Sequence, residues 1–145
     1  MKYVILFFFI VSCSAQKTNK STMEHEQDLA LILTDFYSNV PTPQILIIEE
    51  VSSLRAFFAT VNKTRKPGLA FPTVDFSKER ILIYACGAQY GTVIPQLSIS
   101  KEDNDELVIN CLFEQPLHTG AVVASPFAIY KIKRSPKHIR FTRTE

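Results

Sequence analysis

Three cysteines and three histidines are the side chains of this 145-residue chain best suited to nucleophilic or metal chemistry. His25, His118 and His138 lie far apart, and none has a Cys or His at the short spacings that tetrahedral zinc sites use. Cys86 or Cys111 with His118 would make a nucleophile and its base, but both thiols fall within apolar strand-like runs, where burial keeps a thiol inert. Asp75 and Glu79 flank Phe76-Ser77-Lys78. Two carboxylates so placed would suit acid–base work only in a cleft that perturbs them; an Asp leading into a strand usually accepts local backbone hydrogen bonds instead, and a turn is expected. There is no Gly-x-Ser-x-Gly elbow, phosphate-cradling glycine loop or dinucleotide fingerprint. Four glycines in the whole chain also leave little material for a Gly-lined cofactor site. The expectation is a protein without catalytic residues, metal or cofactor.

Cys13 invites a different chemistry. Lys2 gives a positive start, residues 3–11 (YVILFFFIV) form an unbroken apolar run, and Ser12, Cys13, Ser14 and Ala15 are small. That is the layout of a secretory leader, and the run stops well short of the ~20 apolar residues a spanning helix needs. Ile10-Val11-Ser12-Cys13 is similar to a bacterial lipobox, which makes Cys13 the candidate lipid-attachment residue; ordinary cleavage after Ala15 is the alternative and would release a secreted protein. The reading is therefore a leader at 1–15, a polar tether at 16–28 with little to bury, and one domain at 29–145. The location follows as the cell envelope, with the lipid as the contact to the membrane.

Charge sets no strong direction. Loss of Lys2 with the leader leaves fifteen of the sixteen Lys and Arg against fourteen Asp and Glu, so a general polyanion binder is not expected, and no nucleic-acid partner is. Lys131, Lys133, Arg134, Lys137, Arg140 and Arg143 cluster near the end. Without interleaved aromatic stacking residues, they read as a solvated strand edge whose cations discourage edge pairing.

The elements that position these residues follow from periodicity. Leu29, Leu31 and Leu33 alternate in a first strand, and 44–48 is a second short run of β-branched type. Leu54, Phe57, Phe58 and Val61 then fall at i, i+3, i+4 and i+7, one stripe of an amphipathic helix over 52–62. Ser52 or Ser53 is suited to cap it, with Lys63, Arg65 and Lys66 at its negative end and Pro67-Gly68 to stop it. Residues 80–86 (RILIYAC) are apolar on both faces and belong at the centre of a sheet. Gly87-Ala88-Gln89 turns the chain. Residues 92–100 make a strand that Pro95 interrupts, as at an edge or bulge. Leu107, Ile109, Cys111 and Phe113 alternate on another strand; 127–133 follows a longer loop, and Ile139 and Phe141 mark a last short strand. The class is α+β: a mainly antiparallel sheet or small sandwich with one helix packed on it. In the simplest meander a strand separates Cys86 from Cys111, placing their backbones ~9–10 Å apart, beyond the ~7 Å a disulfide spans. An oxidising envelope would permit the bond; two buried thiols are expected unless their strands become neighbours.

Val74-Asp75-Phe76-Ser77-Lys78-Glu79 running into the apolar strand that ends at Gly87, the strand–turn–strand after it, and Ser125-Pro126-Phe127-Ala128-Ile129-Tyr130-Lys131-Ile132 together carry a likeness. Over residues 29–133 the chain resembles the C-terminal domain of the protease-complex subunit PrcB family, which are small, exported and often lipoprotein domains. The resemblance implies a non-catalytic accessory role, binding or stabilising an exported protease assembly. The family commonly shows Gly-Gly-Tyr a few residues after the strand-ending Gly; here the stretch reads Tyr90-Gly91-Thr92-Val93. Tyr90, Gly91 and Thr92 are the candidate partner contacts, because glycines permit close approach and Tyr offers a large rigid face with a polar tip. Three other readings remain: a small sandwich protease inhibitor presenting the loops 87–92 and 115–125, a minor Cys/His hydrolase, and a carrier for a small apolar ligand.

Overall fold

The computed structural model describes residues 29–112 and 122–144. The leader, Cys13, the tether, His25, Phe113, His118 and most of the loop 115–125 lie outside them. Along the described chain run β1 (Leu29–Asp35), β2 (Gln44–Ile48), α1 (Val51–Val61) with a 3-10 turn (Asn62–Thr64), β3 (Glu79–Ala85), β4 (Gln89–Tyr90), β5 (Gln96–Glu102), β6 (Glu106–Leu112), β7 (Val123–Ala124), β8 (Phe127–Lys133) and β9 (His138–Thr144). The class is α+β, dominated by antiparallel strands, as expected.

The four-stranded sheet β1-β8-β3-β2 is antiparallel throughout and forms the middle layer. Its apolar runs explain why. In β3, Ile81, Ile83 and Ala85 face α1 together with Phe127 and Ile129 of β8, and they bury Leu54, Phe57, Phe58 and Val61. The alternate residues Leu82, Tyr84, Ala128, Tyr130 and Ile132 face the other way, onto Leu97, Leu107, Ile109, Cys111 and Ile139 of the sheet β5-β6-β9. A strand covered on both sides needs apolar residues at every position. The apolar stretch at 80–86 is therefore central, flanked by β8 and β2.

Several expectations give way. β3, β5 and β6 do not form a meander: β5 and β6 belong to the second layer, and β8 returns to lie between β1 and β3. The last strand is seven residues long and parallel to β6. The stretch 92–95 is not strand; buried Pro95 directly precedes β5, where its missing N–H removes no ladder bond. In β1 the alternation fails because a register shift between Leu31 and Leu33 turns Leu31 outward, 55% exposed.

Helix α1 is bounded by other groups than those expected. It begins at Val51, and Glu50 takes the cap position without a side-chain cap bond, while the Ser53 hydroxyl donates to Glu50 Oε1 at 3.0 Å. At its end Asn39, held at φ 58°, donates through Nδ2 to the carbonyls of Thr60 (3.1 Å) and Val61 (3.0 Å). Both carbonyls belong to the last turn of the helix, and that of Thr60 also accepts a backbone N–H at the cap. Arg65 turns away to Asp35, on which both its Nη groups donate.

Candidate functional site

The loop at 87–92 meets the described end of the 115–125 segment. Gln89 pairs with Ala124 and Tyr90 with Val123 in a short antiparallel ribbon, β4-β7, and Gly91 N–H donates to the Val122 carbonyl at 3.0 Å. The ribbon stands outside both sheets. Its apolar side chains face water: Tyr90 is 65% exposed, Val123 57% and Val122 52%. Thr92 is exposed beside them. A hollow of about 230 Å³ adjoins the ribbon, lined by Tyr37, Pro41, Ala88, Val123 and the floor residue Ser125. Tyr37, itself half exposed, extends the apolar surface.

Buried polar contacts fix this surface to the core. Ser125 Oγ accepts from the N–H groups of Ser38 (2.9 Å) and Asn39 (3.2 Å), Ser38 N–H also meets the Ser125 carbonyl at 2.8 Å, and Ser125 N–H donates to the Phe36 carbonyl at 2.9 Å. Ser38 is fully buried and Ser125 nearly so. Asn39, in the same turn, holds the end of α1. One short segment thus joins β1, the ribbon and the helix, and sequence reasoning missed it because serine and asparagine carry no periodicity. Their one signal in the sequence is that serine and asparagine, both turn formers, stand between the first two strand-like runs.

Gly87 has a structural duty. Its φ is 74°, and a Cβ there would lie 2.7 Å from Pro43 N and from the Thr42 carbonyl carbon. Its close approach is therefore to the chain's own backbone, which launches the loop, whereas Gly91 (φ 94°) sits in the ribbon's turn toward Thr92.

Cys86 and Cys111 are both buried and unbonded. The reason differs from an intervening strand: Cys86 follows β3 in the middle layer and Cys111 belongs to β6 in the other sheet. Burial pushes the Cys86 thiol up to about 12 and the Cys111 thiol up to about 11, against an opposing pull from Arg143. Both are neutral at physiological pH, where a thiolate nucleophile would be required. Asp75 closes the expected turn: its Oδ1 accepts from Ser77 N–H (3.1 Å) and hydroxyl (2.6 Å), which lowers its pKa, and its carbonyl takes the N–H groups of Lys78 and Glu79. His138 is exposed on β9, its N–H bonded to the Asp105 carbonyl. Among the described residues no group of three or more His, Cys, Asp or Glu could hold a metal ion.

The basic residues near the end are distributed into ion pairs. Lys131 meets Glu79 at 2.9 Å, Lys137 meets Glu102 at 2.6 Å, and Arg140 meets Glu106 at 2.7 Å. Arg134 lies 3.9 Å from Glu49.

No family model, curated protein or solved structure matches the chain significantly. Among the described residues no helix is long and apolar enough to cross a membrane.

Proposed function

We propose that this chain is a non-catalytic module of the cell envelope, anchored by a lipid on Cys13, that holds a protein partner through the β4-β7 ribbon. The observation that carries this reading is the apolar surface of Tyr90, Val122 and Val123, fixed by buried hydrogen bonds through Ser125 and left open to water. A large exposed aromatic on a braced support is the material of an interface hot spot, and exposed apolar neighbours mark an interaction surface around it. The resemblance to the PrcB C-terminal domain family supports an exported protease assembly as the partner. Protonated, buried thiols support a role without covalent chemistry.

The test is capture from the protein's own envelope fraction, with partners identified by mass and binding then measured with the purified chain. Tyr90→Ala should weaken binding by ~2 kcal/mol, about thirtyfold, with little change in melting temperature. Stability falling in step with binding would instead make Tyr90 structural and move the contact elsewhere. A second reading has a specific observation behind it: the exposed apolar residues Tyr90, Val122 and Val123, brought side by side from two segments, are also what a small protease inhibitor presents. Adding the chain to a captured protease separates the two, since an accessory module preserves or raises turnover and an inhibitor blocks it.

A further inference from the structure

Each layer ends in two edge strands, β1 and β2 in the middle sheet and β5 and β9 in the other. An edge presents a row of N–H and C=O groups to any passing strand, and proteins blunt it with bulges, charges or proline. Three of these four edges are blunted. β1 breaks register between Leu31 and Leu33, and β5 breaks it between Ile99 and Lys101. β9 carries two arginines. β2 has neither device: Gln44-Ile45-Leu46-Ile47-Ile48 pairs with β3 in unbroken register and holds no charge. Pro43 stands just before it and confines any further pairing to the strand itself. No described strand lies on its other side, and Ile47 is 40% exposed.

The strand is complementary to itself. Two copies set antiparallel about a two-fold axis at Leu46 bring Leu46 against its counterpart, Ile45 against Ile47 and Gln44 against Ile48. Residues opposite each other share a face. Leu46 and Ile48 lie on the α1 side of the middle sheet and Ile45 on the other side, so this register continues both core faces across the axis. Glu49 and Glu50 fall across from Pro43 and Thr42 of the other copy, and no like charges are brought together. A foreign strand would have to supply this match, whereas a second copy already carries it.

We propose that β2 pairs with β2 of a second copy, joining two middle sheets edge to edge about a two-fold axis. With the other layer edges blunted, the contact closes at two copies, as an isologous interface does. Five residues a side make less than a standard interface, so the dimer is weak and reversible. It rests neither on the ribbon nor on the ribbon's partner.

Sedimentation velocity of the purified chain from ~10 µM to ~1 mM tests this, with concentration-dependent amide NMR shifts to place the contact. The expected result is a monomer–dimer equilibrium without larger species, with shifts centred on residues 44–48. Ile47→Lys sets a charge on the edge at an exposed position and should weaken the dimer by about tenfold or more, with little change in melting temperature. Tyr90→Ala should leave the dimer intact. A chain that stays monomeric at ~1 mM overturns the proposal, including where another segment of the same chain occupies the edge. Open-ended growth, shifts centred on residues 90 and 122–123, or a dimer that Tyr90→Ala abolishes and Ile47→Lys does not, overturns it as well. The parent's stoichiometry and shift pattern decide without any variant having to fold.

Discussion

Asp35 shows how one residue couples the fold to pH. It ends β1, and its carboxylate receives both Nη groups of Arg65 and the Tyr37 N–H at 2.8 Å. Burial alone would raise its pKa, but the Arg65 hydrogen bond, the backbone N–H groups and the Arg65 charge outweigh this and hold it below 3.8. A carboxyl with a depressed native pKa adds stability that is present above its unfolded value and lost as pH falls through the native one. The pair's contribution should therefore be complete above about pH 5 and fade through the range below about pH 4. Asp35→Asn should cost ~1–3 kcal/mol at neutral pH, as expected for a charge-assisted bond in a partly buried place, and should flatten the acid limb of stability. Denaturant melts at neutral and acid pH check this; an unchanged acid limb would mean that other carboxylates govern acid unfolding. The same guanidinium reaches the Tyr37 carbonyl, so the pair also steadies the chain leading to the ribbon.

At the scale of elements, helix α1 is a lid on the middle sheet. Phe57 meets Phe127 of β8 edge-to-face with ring centroids 5.5 Å apart, and Phe58 meets Phe71 at 5.3 Å. Phe57→Ala should cost ~3–5 kcal/mol, the usual loss for a buried aromatic truncated in a core. A loss under ~1 kcal/mol in denaturant melts would place the residue outside the core. This helix stripe was readable from the sequence because four apolar residues at helical spacing have no other economical burial. The apolar run of β3 was equally readable as a central strand. The partner strands were not: nothing local distinguishes a β5 that pairs beside β3 from one that crosses to a second layer, and a parallel β9 depends on how the chain returns after β8. The ribbon was half legible. Tyr90 and its glycine neighbour stood out as a contact loop, but its pairing with Val123 and the Ser125 clamp come from contacts distant in sequence.

At the scale of the whole molecule, β1 separates the proposed anchor from the proposed contact surface. Leu29 pairs with Ile132 at one end of the strand, and Asp35 pairs with Phe127 at the other, beside Ser125 and the ribbon. Seven residues of strand put these ends ~20 Å apart. A chain joined to a lipid on Cys13 through residues 16–28 enters the domain at Leu29, the end away from Tyr90. On the proposed reading the ribbon would lie at the end of β1 away from Leu29, and anchoring and partner capture would be separable functions. Cys13→Ser should move the protein from the membrane fraction to a soluble or unprocessed form, while the soluble form retains the parent's affinity for the captured partner. Fractionation with high-salt washing, together with a binding measurement on the soluble form, checks both halves. A correctly processed Cys13→Ser protein that stays with the membrane would sink the lipid assignment. A soluble form that has lost the partner would show that the membrane, or the lipid itself, is part of the contact.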